Sequence, residues 1–544
     1  MRVSLVTALP LASLYRQPWL TVLALGLILP ALASGATVSY STAHRSAEQG
    51  AHTIALEGTT FVDQGLVGSG RLPAATVDFL GDTLGSFSSL AIDPSSWHRV
   101  GDHYEGVLWT LPDRGRNDPN AGLFYDYAAR LHRFRLRFTP YHGKNLPADI
   151  HSQRQVSIVP DGGIELRDFP GEPFTGADPA DGTLTENGVL LPSPHAGIGA
   201  GKVSIDCESL QFTRDGSFYI GDEYSARVFF FSPKGELRGV IAPPQAIEPR
   251  TGGKINFNSL AAPDTGRRNN QGVEGMSLSP DGTRLFVALQ SALIQDSARN
   301  VADKSDASGR INTRVLVYDV SGEPTPATPV EHYIVQLPAY TEAGDGGRAN
   351  RTAAQSEIRA LNQHQFLMLS RDGNGLGTGN DRPLVFKSVL LVDTAGATNL
   401  AGSAYETNTT SVLRRADDVE LKADIRPAQW AELINLLDSS QLARFGLNID
   451  IRPRNQPLTL SEKWEAMDLV PALDPARPHD YFLFVGNDND FIARHCIMQG
   501  QRCDSSFDND SMLLVYRVTL PTMQRGASPA GQLRPAAVGH PGAG

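Results

Sequence analysis

Short apolar runs recur along this chain, and turn-forming residues punctuate them at regular places. The clearest unit reads Cys207-Glu208-Ser209-Leu210-Gln211-Phe212, a turn at Arg214-Asp215-Gly216, and an apolar strand over 217–220. The polar stretch Gly221-Asp222-Glu223-Tyr224 and a second strand over 227–231 follow it. The same order returns from Val273-Glu274-Gly275-Met276, with strands over 285–289 and 314–318. A third copy starts at Ser356-Glu357-Ile358, with strands over 365–370 and 388–393. A fourth starts at Trp464-Glu465-Ala466-Met467, with strands over 481–485 and 512–516. A looser copy has Phe87-Ser88-Ser89-Leu90, a strand over 106–110 and Pro112-Asp113-Arg114-Gly115, with Ser in place of Glu. Runs of this length, β-branched and aromatic, bounded by Gly, Pro and Asp, are the signature of strands.

Antiparallel units repeated along one chain point to an all-β fold, a single β-propeller with loop and short helical insertions. Five copies, with further strand-like sequence at 52–80 and 140–195, lead us to expect six blades, the N- and C-terminal strands closing the ring together. One helical insertion is expected over 427–445, where Trp430, Leu433, Ile434, Leu437 and Leu442 share a face. The propeller is expected over 37–520, with a disordered Pro-, Gly- and Ala-rich tail over 521–544.

Composition narrows the partners. Among 544 residues, 48 Lys and Arg stand against 59 Asp and Glu, a net charge of −11, so no basic surface is available to displace counterions from nucleic acid. Arg2 and Arg16 precede an apolar run over 19–29, followed by Ala31-Leu32-Ala33 and Ser34-Gly35-Ala36. This reads as a signal peptide over 1–36, cut after Ala33 or Ala36, with a retained anchor as the alternative. A periplasmic or secreted monomer with no stable membrane span after processing is expected. Three cysteines occur. Cys496 and Cys503 are close enough in sequence for a disulfide in an oxidising compartment, and Cys207 lies in an apolar segment as a buried thiol.

The recurring acids carry the chemistry. Equivalent positions in successive blades face one axis, so Glu208, Glu274, Glu357 and Glu465 are expected to converge and, with Asp113 near them, to be the catalytic residues. The following loops add Asp222, Glu223, Asp372, Asp488 and Asp490 as candidate metal ligands. Carboxylates gathered in low dielectric repel one another unless a cation sits among them, and an all-oxygen set favours Ca2+. Arg114 and Arg371, each beside an acid, are candidate phosphate clamps, or equally partners in structural ion pairs.

The ordered series Asp113-Arg114-Gly115, Asp206-Cys207-Glu208-Ser209-Leu210, Gly221-Asp222-Glu223-Tyr224, Gly272-Val273-Glu274-Gly275 and Asn487-Asp488-Asn489-Asp490 resembles the phytase-like family, also described as esterase-like activity of phytase. The resemblance covers roughly 81–518 and implies an exported β-propeller with phosphoester hydrolase activity. Ser88 and Gln290 depart from the pattern. Other chemistries lack their motifs: there is no G-x-S-x-G, no HExxH, no CxxC and no complete P-loop. The expected function is Ca2+-assisted hydrolysis of a small phosphorylated or ester substrate. A non-catalytic ligand- or partner-binding propeller with structural calcium and an ester or lactone hydrolase are the alternatives.

Overall fold

The computed structural model describes residues 37–299 and 306–524. The expected signal peptide and nearly all of the expected tail lie outside the described residues. Four-stranded antiparallel units make up the ring; three are separate sheets, and the first and fifth join in one ten-stranded sheet through a parallel pair at Gly70 and Val156. The first contains Ser89–Ile92, His103–Leu111, Arg130–Phe138 and Val156–Glu165, and the second Cys207–Phe212, Phe218–Asp222, Val228–Phe231 and Leu237–Ile241. The third contains Val273–Leu278, Arg284–Leu289, Asn312–Asp319 and Glu331–Gln336, and the fourth Ala354–Ala360, Gln365–Arg371, Lys387–Asp393 and Gln429–Asn435. The fifth takes Lys463–Pro471, Asp480–Asp488 and Ser511–Thr519 from the C-terminal part of the chain and Thr59–Leu72 from its start.

The innermost strand of each sheet packs against those of its two neighbours, and the fifth returns to the first. The ring therefore closes on five blades among the described residues, where six were expected. The strand-like sequence at 52–80 supplies the outer strand of the fifth blade, so the N-terminal strand closes the ring as expected. The stretch at 140–195 supplies the outer strand of the first blade and a separate hairpin, Thr183–Glu186 with Val189–Pro192, and no sixth blade. The core lies between blades. Phe218, Ile220, Phe229 and Phe231 of the second pack with Trp109 and Leu131 of the first, for example. Each aromatic buried this way contributes on the order of 1.5–3 kcal/mol.

The helix expected over 427–445 is a strand, Gln429–Asn435, followed by a five-residue helix, Ser439–Ala443. The register slips beside Leu433: Glu432 pairs with Leu390 while Ile434 pairs with Val389. Leu433 and Ile434 are consequently both buried, and with Trp430 and Leu437 this bulge imitates helical spacing. Asp438 caps the short helix, its Oδ1 accepting from the Ser440 and Gln441 amides.

Candidate functional site at the carboxylate mouth

A bulge repeated in the inner strands builds the site. Register slips between Cys207 and Ser209, Val273 and Gly275, Gln355 and Glu357, and Trp464 and Ala466. The extra residues are Glu208, Glu274, Ser356 and Glu465. In the first blade Ser88 holds the corresponding place, just before the Ser89–Leu111 pair. The next strand then passes the same end of the ring. Two residues past the partners of Ser89, Ser209, Gly275, Glu357 and Ala466 come Asp113, Glu223, Gln290, Arg371 and Asp488. Gly272 is needed where the second and third blades meet here, because a Cβ on it would lie 2.2 Å from the Glu223 carbonyl oxygen.

Glu208, Glu274 and Glu465 converge, and with them Asp206, Glu223, Asp113 and Asp488; all are buried. Burial, and then the Glu274 charge, holds the Glu208 carboxyl well above its ordinary range. Glu223 is raised by burial and by Glu274, and Glu274 by burial and by Glu465. Asp113 is pushed up to about 7 by burial and the neighbouring Asp206.

Cations offset part of this charge. Arg114 Nη1 lies 2.9 Å from Asp206 Oδ2, Arg371 reaches Glu465, and Lys463 Nζ lies 3.0 Å from Asp488 and 2.7 Å from Asp490. Burial works against the Lys463 charge, yet Asp488 and Asp490 hold its pKa well above the usual value. The Nε atoms of Arg114 and Arg371 are buried and have no partner. Gln290 Nε2 donates to Glu274 Oε1 at 2.7 Å, which leaves Glu274 Oε2 without a donor; Glu223 Oε1 is likewise unpartnered. Oxygens of Asp206, Glu208 and Glu223 lie within 4.8 Å of one another, a spacing that one cation can span.

Three expected site residues stand elsewhere. Glu357 follows its bulge where the other glutamates are the bulge, so it points to the other side of its strand. Its Oε2 accepts from Ser89 Oγ at 2.6 Å, across the ring, and its Oε1 from the Met276 amide at 3.0 Å. It thus ties the inner strands of the first, third and fourth blades together, and burial pushes it up to about 8. Asp222 accepts from the Asp206, Tyr224 and Ser225 amides and so ties its own loop. Asp372 pairs with Lys387 at 2.6 Å and accepts from the Phe386 and Asn374 amides. These donors occupy the oxygens that were expected to meet metal.

Sequence reasoning did not single out Asp206 and Lys463. Asp206 precedes the bulge glutamate by two residues, the position Lys463 takes in the fifth blade, and that shared offset was the available signal. Cys496 and Cys503 are bonded, with Cα atoms 4.8 Å apart, and Cys207 is a free buried thiol, both as expected.

A five-bladed ring with a carboxylate mouth defines the class of this protein. The phytase-like family, described as esterase-like activity of phytase, matches residues 82–491, and the chain belongs to it. An uncharacterized secreted protein of Arthroderma benhamiae is 32% identical over 469 residues, 80% of this chain and 88% of that one. Two α-L-arabinofuranosidase structures align at lower similarity. The Podospora anserina enzyme shows 9% identity and a TM-score of 0.29 over 83% of this chain and 96% of its own. The Coprinopsis cinerea catalytic domain shows 10% identity and a TM-score of 0.27 over 83% and 97%. Scores that low carry no functional weight.

Proposed function

We propose that this chain is an exported phosphoester hydrolase acting at the carboxylate mouth, with Asp206, Glu208 and Glu223 holding a divalent cation, Ca2+ by preference. The observation behind this reading is the close approach of these three buried side chains with Glu223 Oε1 left unpartnered. A buried carboxylate without a donor is costly unless a proton or cation meets it. The oxygen-only donor set suits a hard cation. Such a cation, when bound, neutralises phosphate charge and lowers the pKa of water.

The chain's own residues supply the rest. Arg114 and Arg371 are fixed by Asp206 and Glu465, and each keeps a free Nε–H with which to hold a phosphate oxygen. Asp113, with its pKa near neutrality, is suited to take a proton from water and release it again. Export fits the secreted relative and the disulfide. Among the described residues no helix is long and apolar enough to cross a membrane.

A substrate panel tests this: phytate, p-nitrophenyl phosphate, p-nitrophenyl acetate and a lactone, each with Ca2+ and with EGTA. Calcium-dependent turnover of the phosphoesters alone is the expected result. Turnover of the acetate or lactone alone would move the assignment to carboxyl esters, and no turnover of any substrate would favour a binding propeller.

A further inference from the structure

A cavity of about 330 Å³ lies outside the ring's mouth. The N-terminal segment at 44–52 crosses there between Gln429–Asn435, the short helix Ser439–Ala443 and the closing strand Thr59–Leu72. Four carboxylates line it: Glu48, Asp63, Glu432 and Asp438. Three of them have partners. Glu432 meets His44 Nε2 at 2.7 Å and Glu48 meets His52 Nδ1 at 3.2 Å. Asp438 Oδ2 accepts from Ser46 Oγ at 2.8 Å and the Glu48 amide at 2.9 Å.

Asp63 differs. It sits at a bulge in the closing strand, where the register with Ser511–Thr519 slips between Asp63 and Leu66. Its Oδ1 accepts from the Gly65 amide at 2.8 Å. Its Oδ2 has no donor among the described residues, although the side chain is only 9% exposed. Burial, with Asp438 and Glu48 adding to it, raises this carboxyl to about 7. Tyr516, 2% exposed, lines the same space, and no described residue bonds its hydroxyl.

We propose that this cavity binds a small ligand through a protonated amine, whose N–H groups reach Asp63 Oδ2 and the Tyr516 hydroxyl. The flanking carboxylates set a negative potential that rejects anions, while Arg45 stands at the exposed rim. The volume falls in the range of small-ligand sites. An ammonium fits better than a metal. It needs one carboxylate and one hydroxyl, and among the described residues the only trio of ligand atoms spaced for a metal is at the mouth. Nothing in this inference depends on the hydrolase reading.

The test is thermal melting of the full processed chain titrated with 1,4-diaminobutane, against NaCl at matched ionic strength, CaCl2 and sodium acetate, all with the mouth saturated with Ca2+. A saturable rise in Tm with the diamine alone is expected. Asp63→Asn, whose amide oxygen can still accept from Gly65, should weaken apparent affinity at least tenfold. Tyr516→Phe should weaken it severalfold, and Glu236→Gln should leave it unchanged. A rise that NaCl reproduces, one that persists in Asp63→Asn, or an equal response to further CaCl2 would overturn the proposal.

Discussion

Arg371, at the end of the second strand of the fourth blade, reaches across the blade boundary to Glu465 at the bulge of the fifth. Both are buried, and Arg371 is held ionised against the cost of burial by Glu465 and then Glu274. Arg114 does the same between the first and second blades through Asp206. Neighbouring blades are thus joined at the mouth by ion pairs that also hold its carboxylates in place. Removing one partner of a buried pair leaves a charge uncompensated, at a cost of about 3–5 kcal/mol. Arg371→Met should lower the chemical-denaturation midpoint accordingly, and adding Glu465→Gln should recover much of the loss. Equal stability of the single and double variants would show that the pair does not couple the blades.

The raised acids fix the direction of pH dependence. Glu357 has a folded pKa of about 8, above its ordinary value of 4.5, so the folded chain binds the extra proton between these values. Its contribution is complete below about pH 4.5 and is lost as pH rises through about 8. In EGTA, Tm should therefore fall as pH rises across this window. Glu357→Gln should flatten the slope, since its amide does not titrate. A slope identical to that of the parent chain would remove Glu357 from this account.

Much of the fold was legible because strand alternation and turn chemistry are local. The blade count was not, because the strand-like sequence at 52–80 and 140–195, which suggested a further blade, supplies outer strands of the fifth and first blades instead. The site was legible at Glu208, Glu274 and Glu465, where a bulge and its glutamate coincide. It failed at Glu357, because Ser356-Glu357 and Glu208-Ser209 differ by one residue, and one residue reverses the side of a strand. Asp222 and Asp372 sit in acidic loops like the true mouth residues, but they lie one position before and one position after the ring of Asp113, Glu223 and Asp488. Only pairing register separates them.

Cys496 and Cys503 close an eight-residue loop beyond Asp490. Closure of that length contributes about 2–3 kcal/mol in the chain-entropy account. The Cys496→Ser, Cys503→Ser double variant should lose about that much in a denaturant titration. In the native parent chain Cys207 should resist thiol labelling, and one thiol should become reactive on unfolding. Labelling before unfolding would contradict the burial described for Cys207.

Cation binding at the mouth should raise stability by mass action, about 2.7 kcal/mol at a hundredfold excess over Kd. Calorimetric melts should show Ca2+ raising Tm of chelator-stripped chain, with the response lost in Glu223→Gln and kept in Glu236→Gln. An undiminished response in Glu223→Gln would place the cation elsewhere.

The most direct measurement is phosphate release from phytate by chelator-stripped chain, before and after Ca2+ is restored, alongside Glu208→Gln under the same conditions. The account predicts negligible release without Ca2+, recovery on its return, and at least a hundredfold lower rate in the folded variant. Release that is indifferent to Ca2+ and to Glu208→Gln would contradict hydrolysis at the carboxylate mouth.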